Sequence, residues 1–198
     1  KSLRIFAFAD AGNVWREAND WPINSTLTPY YLHLDKSLTT SSPTETDAVV
    51  SYLADPLHPV NIPNPRGFPG AVDARHVEEQ AEVRTFTTEP LASPVEWTGI
   101  VKAELFVTST AKDSDFIVRV SDVYPDGRSI LLVDYVRRGR YREGYEREVF
   151  FEPGKVEKVA FDVGWISQIF AKGHRIRVTV TSTGAPFYEP NPNTGEPL

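Results

Sequence analysis

Ser129 stands in the motif of this chain that comes nearest to a hydrolytic nucleophile. In serine hydrolases of the α/β type, the nucleophile occupies a tight turn between a strand and a helix, with the pattern G-x-S-x-G. Here the order is Gly127-Arg128-Ser129-Ile130-Leu131, which lacks the second glycine and falls in a predicted β-hairpin. We therefore interpret Ser129 as a strand residue.

The histidines and aspartates form no recognisable metal site either. His33, His58, His76 and His174 are scattered, and no two stand four residues apart, the spacing that would place two ligands on one helix face. Asp113, Asp115, Asp122, Asp126 and Asp134 raise the alternative of a calcium site, but an EF-hand loop would also need a glycine and a terminal glutamate at fixed offsets. Turn-forming aspartates that bind nearby backbone amides explain the same residues. We predict no catalytic residue, no metal and no cofactor.

Net charge argues against a nucleic-acid partner. The 198 residues carry a formal charge of −6, whereas phosphate binding needs a basic surface. The cationic cluster of Arg137, Arg138, Arg140 and Arg142 is followed at once by Glu143, Glu146 and Glu148. Such a mixed run is typical of a solvated strand face or loop, and we predict that here.

Amino-acid composition excludes further classes of structure and site. Apolar residues make up 40% of it, and no stretch approaches the ~20 continuous apolar residues of a membrane span, so we predict no membrane partner. There is no cysteine, which excludes disulfides and thiolate metal sites. The chain starts at Lys1 without a basic segment followed by an apolar run, so we expect an excised piece without a signal peptide and leave its compartment open.

Alternation of apolar and polar residues predicts the elements that would position these side chains. Residues 101–107, 116–121 and 175–181 alternate with a period of two, which is typical of half-buried antiparallel strands. Residues 129–137 are more continuously apolar and predict a central strand, and residues 156–163 predict another. Earlier strands are predicted over residues 3–9 and 30–34. These many short strands predict an all-β fold, a mostly antiparallel β-sandwich of jelly-roll type.

Turn residues punctuate the predicted strands. Tyr124-Pro125-Asp126-Gly127 predicts a hairpin turn, and Pro153-Gly154 predicts a second turn. Only Trp165 to Ala171 has a helical pattern, with Gly173 placed to end it, so we expect at most one short helix. Five prolines between Asp55 and Gly70 predict a long, stiff surface loop, because each proline lacks a donor and restricts its predecessor.

The same residues also form an ordered series of motifs that spans nearly the whole chain. This series resembles the C-terminal part of the CocE/NonD hydrolases, a group that includes ester hydrolases and X-Pro dipeptidyl-peptidases. The motifs that carry the resemblance are Val14-Trp15-Arg16-Glu17, Trp21-Pro22, Thr28-Pro29-Tyr30-Tyr31-Leu32, Tyr52-Leu53-Ala54-Asp55-Pro56, Thr85-Phe86-Thr87-Thr88-Glu89-Pro90-Leu91, Trp97-Thr98-Gly99, Asp113-Ser114-Asp115-Phe116, Asp122-Val123-Tyr124-Pro125-Asp126-Gly127-Arg128, Arg140-Tyr141-Arg142-Glu143, Gly173-His174-Arg175-Ile176-Arg177-Val178 and Asn191-Pro192-Asn193-Thr194-Gly195.

The resemblance implies a galactose-binding-like jelly roll attached to an α/β-hydrolase catalytic domain of the same polypeptide. That catalytic domain would carry a Ser-Asp-His triad, none of whose members falls in this chain. It implies that residues 1–24 are a junction segment, with a leftover strand of the catalytic domain. Residues 25–198 would be the C-terminal domain, without the further strand that family members have after Gly195.

Three functional hypotheses follow. In the first, the domain packs on the catalytic domain through Trp15 and Trp21, and Arg66, Gly67 and Phe68 in the proline-rich loop help to wall the acyl pocket. In the second, the chain is an independent carbohydrate-binding module, because 12% of its residues are aromatic. Aromatics such as Phe106, Phe116, Phe161 and Phe170 lie in or beside apolar runs and are better explained as core. A homo-oligomerisation role is the third hypothesis.

Overall fold

The computed structural model describes residues 6–9, 15–18, 21, 23, 25–62 and 71–196. Its elements in chain order are β1 (Phe6–Ala9), β2 (Trp15–Ala18), β3 (Tyr31–Leu32), β4 (Leu38–Thr39), α1 (Arg75–Glu78), β5 (Arg84–Thr87), β6 (Val95–Val107), β7 (Asp115–Val123), β8 (Ser129–Arg138), a 3₁₀ turn (Gly139–Tyr141), β9 (Glu157–Phe170) and β10 (Arg175–Thr181). No helix in these ranges is long and apolar enough to cross a membrane. The all-β prediction is confirmed.

Two sheets face each other and enclose the main core. One has four antiparallel strands in the order β5-β10-β7-β8, and the other is the antiparallel pair β6-β9. The buried side chains between them come from both sheets: Phe86, Phe116, Val118, Val120, Ile176 and Val180 from the first, and Val159, Phe161, Val163 and Phe170 from the second. Hydrophobic burial between these faces stabilises the sandwich.

The predicted hairpin between β7 and β8 is present. Val123 pairs with Ser129 across the turn, and the Gly127 amide donates to the Tyr124 carbonyl over 2.9 Å. Gly127 has a φ of 91°, a left-handed conformation that glycine adopts at little cost. A turn at Pro153 and Gly154 likewise precedes β9.

Strand β7 is buried on both faces, whereas the alternation predicted a half-buried strand. Every residue from Asp115 to Val123 is buried. Phe116, Val118 and Val120 on one face belong to the main core, and the residues of the opposite face, among them Arg119 and Ser121, are buried as well. The polar residues that alternate along β7 therefore lie in a covered layer and not in solvent.

Strand β8 lies at one end of the four-stranded sheet, so its prediction as a central strand is wrong. Its continuous apolar sequence has another cause. The Ala74 amide donates to the Ser129 carbonyl over 2.7 Å, and the Leu131 amide donates to the Val72 carbonyl over 2.9 Å. A non-strand segment thus covers the outer edge of β8.

The predicted helix at Trp165 to Ala171 is also wrong, because β9 continues as a strand to Phe170. Its register against β6 shifts between Val101 and Lys102, which leaves Val163 as an extra, bulged residue. The buried residues of β9 therefore have odd numbers up to Val163, and the next buried residues are Ile166 and Phe170. The resulting spacing of three and four residues imitates a helical face. The short helix lies instead at Arg75–Glu78.

Candidate functional site

Ser129 is a structural residue, as predicted. Its side chain is buried, and its hydroxyl donates to Glu78 Oε1 over 2.6 Å. Glu78 Oε2 in turn accepts from Arg177 Nη1 over 2.6 Å. Ser129 thus connects β8 through α1 to β10 and contacts no histidine.

His174 and Asp122 form the arrangement that most resembles part of a catalytic triad. His174 Nδ1 lies 2.8 Å from Asp122 Oδ1, and Asp122 Oδ2 accepts a hydrogen bond from Gln168 Nε2 at 3.3 Å. The Tyr124 ring packs against the imidazole, with centroids 4.3 Å apart. In the described ranges no serine or threonine hydroxyl hydrogen-bonds to His174, and the His174–Asp122 contact joins the end of β7 to the residue that precedes β10.

Asp113 and Asp115 are buried hydrogen-bond acceptors and not the turn residues that the sequence favoured. Asp113 accepts from the Arg140 backbone amide over 2.8 Å and from Arg140 Nε over 2.7 Å. Asn191 Nδ2 donates to both aspartates, each over 2.8 Å, and Arg138 donates to both oxygens of Asp115. Burial raises the pKa of Asp115 against the opposing effect of Arg138. No metal-binding group of three or more acidic, histidine or cysteine side chains occurs in the described residues.

In the mixed run that follows, the arginines are largely covered whereas Glu143, Glu146 and Glu148 are exposed, so the prediction of a solvated face or loop is wrong for the arginines and correct for the glutamates. The Arg140 and Arg142 side chains are 5% and 4% exposed. Arg140 pairs with Asp113, and Arg142 lies 3.5 Å from Glu157 and over the Phe151 ring. Among the acidic residues that follow, Glu148 pairs with Arg140 and accepts from the Tyr141 hydroxyl. Arg140 and Arg142 are thus buried in ion pairs, and Asp113 and Glu157 are too distant in sequence for local charge patterning to indicate them.

A cleft opens at the end of the four-stranded sheet beside the β7–β8 turn. Its volume is about 470 Å³, and we call it the arginine cleft after Arg175 and Arg177. The other lining residues are Thr87, Pro90, Val123, Tyr124, Pro125, Gly127 and Gly173. The motif series contained these residues, but nothing in their spacing indicated that they line one cavity.

An exposed apolar run precedes the proline-rich loop. Val49, Leu53 and Leu57 are 71%, 81% and 84% exposed, and Val50 is 38% exposed. We call these four residues the apolar ridge. The backbone that carries the ridge is nevertheless fixed: Arg84 donates to the Ser51 carbonyl, and the Tyr52 hydroxyl lies 2.8 Å from Ser182 Oγ. Burial raises the pKa of Tyr52 to about 12.

Comparison with known proteins identifies the domain. Residues 4–197 match the family described as the X-Pro dipeptidyl-peptidase C-terminal non-catalytic domain. The chain belongs to this family.

Related proteins in the family are hydrolases about three times as long as this chain. Cocaine esterase from a Rhodococcus species is 40% identical over 195 residues, which cover 91% of this chain and 34% of that protein. A crystal structure of an aminopeptidase from a marine sediment archaeon of the Thaumarchaeota superposes with a TM-score of 0.86 and 30% identity, covering 96% of this chain and 35% of that one. An α-amino acid ester hydrolase structure superposes with a TM-score of 0.85 and 28% identity, and the match covers 94% of this chain and 34% of that one. The resemblance inferred from the motif series is confirmed.

The residues predicted to contact another domain of a family hydrolase have different surroundings. Trp15 is 72% exposed on β2, whereas Trp21 packs on Trp165 of β9 with ring centroids 5.7 Å apart. Trp21 therefore has at least one aromatic contact inside this domain. Arg66, Gly67 and Phe68 lie outside the described residues, between Ile62 and residue 71.

One aromatic residue assigned to the core is on the surface of this family member. Phe116, Phe161 and Phe170 are buried as predicted, but Phe106 is 67% exposed and lies beside Lys158. The exposed Trp165 ring is tilted by 55° to that of Trp21, so these two rings form no coplanar platform for a sugar. The carbohydrate-binding alternative is not confirmed.

Proposed function

We propose that this chain is the C-terminal domain of a longer serine hydrolase that cleaves esters or amides, and that it packs on the α/β-hydrolase catalytic domain of the same polypeptide. The single observation that carries the proposal is length. The chain covers 34–35% of an esterase, an aminopeptidase and an ester hydrolase to which it is similar over nearly all of its own residues. Ester and peptide cleavage share one chemistry, acyl transfer through a nucleophile and an oxyanion hole.

The apolar ridge supports the packing part of the proposal. Contiguous exposed apolar side chains are typical of interaction sites, and burying one leucine side chain stabilises an interface by about 1.5–3 kcal/mol. The ridge side chains do not come from a frayed segment, since Arg84 and Ser182 fix the backbone beside them. A rigid apolar surface loses little conformational entropy when a partner covers it.

The attachment of the proline-rich loop supports the pocket part of the proposal. At its near end the Ile62 amide donates to the Ala185 carbonyl over 2.7 Å, and beyond its far end Val72 accepts from Leu131. The described residues on either side of positions 63–70 are therefore hydrogen-bonded to the sandwich, and Ile62 is close in sequence to the ridge. We propose that Arg66, Gly67 and Phe68 extend from this base to wall the acyl pocket of the catalytic domain.

In this arrangement the domain contributes shape and not a reacting group. The catalytic domain would supply nucleophile, base and orienting acid, and the Phe68 ring would restrict the acyl groups that fit beside them. Pocket contacts of this kind discriminate substrates by about 1–3 kcal/mol per apolar group.

Substitution of Phe68 by alanine in the longer polypeptide tests the pocket role. We expect kcat/KM to fall by roughly 10-fold to 200-fold for esters whose acyl group contacts the ring, and to change less for acetyl esters. Phe106→Ala is the matched control, because it removes an exposed phenylalanine from the same domain. Unchanged kcat/KM across a series of acyl groups would remove the pocket role and leave the packing role.

A further inference from the structure

The arginine cleft has two guanidinium groups side by side on its floor. Arg175 and Arg177 are two residues apart on β10, so their side chains project from the same face of the sheet. Across this face Arg177 lies opposite Thr87 of β5 and Ser121 of β7. The fold therefore places the Arg175 and Arg177 cations next to each other at one end of the four-stranded sheet.

Both arginines are held in place with donors to spare. Arg177 donates from Nε to Thr87 Oγ1 over 2.9 Å and from Nη1 to Glu78 Oε2 over 2.6 Å. Arg175 donates from Nη1 to the Thr88 carbonyl over 3.0 Å. Within the described part of the chain, Nη2 of Arg177 and both Nε and Nη2 of Arg175 make no hydrogen bond.

Of the two arginine charges in the cleft, that of Arg177 is neutralised by a buried carboxylate, and that of Arg175 is available to an anionic ligand. The Glu78 side chain is 5% exposed and neutralises Arg177. Glu89 lies 3.8 Å from Arg175, but its side chain is 93% exposed, and an ion pair in that setting is weak. Arg75 and Arg128 nearby are paired with Asp73 and Asp126. A monoanion thus matches the cleft better than a dianion.

Part of the cleft wall is apolar. Pro90, Val123 and Pro125 line the cleft together with Tyr124, whose ring centroid lies 4.3 Å from that of His174 and 4.7 Å from the Arg128 guanidinium. A volume of about 470 Å³ falls within the range of small-molecule sites.

We propose that the arginine cleft is a binding site for a monocarboxylate with an apolar body, with its carboxylate on Arg175 and Arg177 and its body against Pro90, Tyr124 and Pro125. A planar guanidinium fork matches carboxylate geometry with two parallel hydrogen bonds. The carboxylate has two sources, a free organic acid or an acidic side chain of a polypeptide segment. The inference depends only on contacts inside this chain and is independent of the proposed function.

Titration of the 198-residue chain by amide NMR tests the site, with sodium benzoate as the free acid and the capped peptide acetyl-Phe-Asp-amide as the polypeptide-borne one. We expect saturable shifts at Tyr124, Gly127 and Gly173. Arg175→Leu removes the cation that is only weakly paired, with Glu89, and is expected to weaken binding on the order of tenfold. Arg147→Leu removes an exposed arginine far along the chain from the cleft and serves as the charge control. Benzyl alcohol is the neutral ligand control.

The relative affinities of the two probes distinguish the two possible sources of the carboxylate. Tighter binding of benzoate assigns the cleft to a free acid, and tighter binding of the peptide assigns it to an acidic side chain. Arg175→Lys keeps the positive charge but loses the planar guanidinium group. An affinity between those of the wild-type chain and the leucine variant would support the bidentate contact. The lysine variant also tests the site if the leucine variant does not fold. Shifts that never saturate with either probe, equal binding of benzyl alcohol, or affinities unchanged by both Arg175 variants would overturn the proposal.

Discussion

At the scale of single residues, the buried charges of this domain are neutralised by groups distant in sequence. Asp113 accepts from Arg140, 27 residues away, and from Asn191, 78 residues away. These bonds fix the C-terminal segment and the 3₁₀ turn against the start of β7. Because each partner is buried, removing one leaves an uncompensated charge, which costs more than the pair contributes.

Asp113→Asn is predicted to lower the free energy of unfolding by about 3–5 kcal/mol, since it removes the negative charge that faces buried Arg140 while keeping the side-chain shape. Urea denaturation followed by fluorescence measures the change. Asp126→Asn is the control: its pair with Arg128 is half exposed, and the expected loss is below ~1 kcal/mol. Equal, small losses in the two variants would show that the Asp113 network does not stabilise the fold.

Among the secondary-structure elements, strand β9 shows how a local sequence pattern can lead to a wrong prediction of a helix. Its extra residue at Val163 moves the buried set from odd to even positions. Gly164, at the bulge, has a φ of 150°, and a Cβ there would lie 2.6 Å from Val133 Cγ2. The bulge thus brings β9 close to β8, and glycine is required for that approach.

The continuation of β9 as a strand predicts unequal roles for two phenylalanines on paired strands. Phe170 is fully buried and contacts the Trp97 ring at 5.3 Å, so Phe170→Ala should lower the free energy of unfolding by about 3–5 kcal/mol. Phe106→Ala on β6 should change it by about 0.5 kcal/mol or less, because that ring is 67% exposed. Thermal denaturation of both variants measures the difference, and a Phe106 effect as large as that of Phe170 would contradict the sandwich packing.

In the molecule as a whole, the four side chains of the apolar ridge are exposed in the described structure although the adjacent Ser51 and Tyr52 are hydrogen-bonded to the sandwich. The apolar ridge lies on the chain segment just before the proline-rich loop. The chain spans about a third of the length of related hydrolases, so the rest of such a polypeptide is available to cover it. This combination is the physical basis of the proposed interdomain packing.

The double substitution Leu53→Ser and Leu57→Ser is predicted to destabilise the longer polypeptide and to spare the domain itself. Each leucine that is buried in an interface would lose about 1.5–3 kcal/mol, which should lower the Tm of the longer polypeptide by several degrees. The 198-residue chain alone should change by less than ~0.5 kcal/mol per site, because both side chains are exposed in it. Calorimetry on both forms measures these changes.

Val156→Ser is the control for that pair, since Val156 is 62% exposed outside the ridge. If the longer polypeptide loses the same stability with Val156→Ser as with the double substitution, or loses none with either, the ridge is not the interdomain contact.

Fold class and family could both be predicted from local sequence patterns. Alternation along β6, β7 and β10 and the turn at Tyr124 to Gly127 are local, since strand period and turn conformation depend on neighbouring residues. The ordered motifs indicated the family for a related reason, because each is a short run that can be recognised without knowing its partners. Phe68 was proposed for the pocket because the proline-rich loop is stiff and has an apolar tip, and that part stays a prediction.

The contacts between distant side chains could not be predicted in this way, because they depend on how the strands are arranged in three dimensions. The bulge in β9, the covered edge of β8, the burial of Arg140 against Asp113, and the pairing of Arg177 with Glu78 all join residues tens of positions apart. The arginine cleft is of the same kind, since β5, β10 and the β7–β8 turn each contribute a wall. Contacts of this range depend on strand order and register, which the alternation of a single strand does not specify.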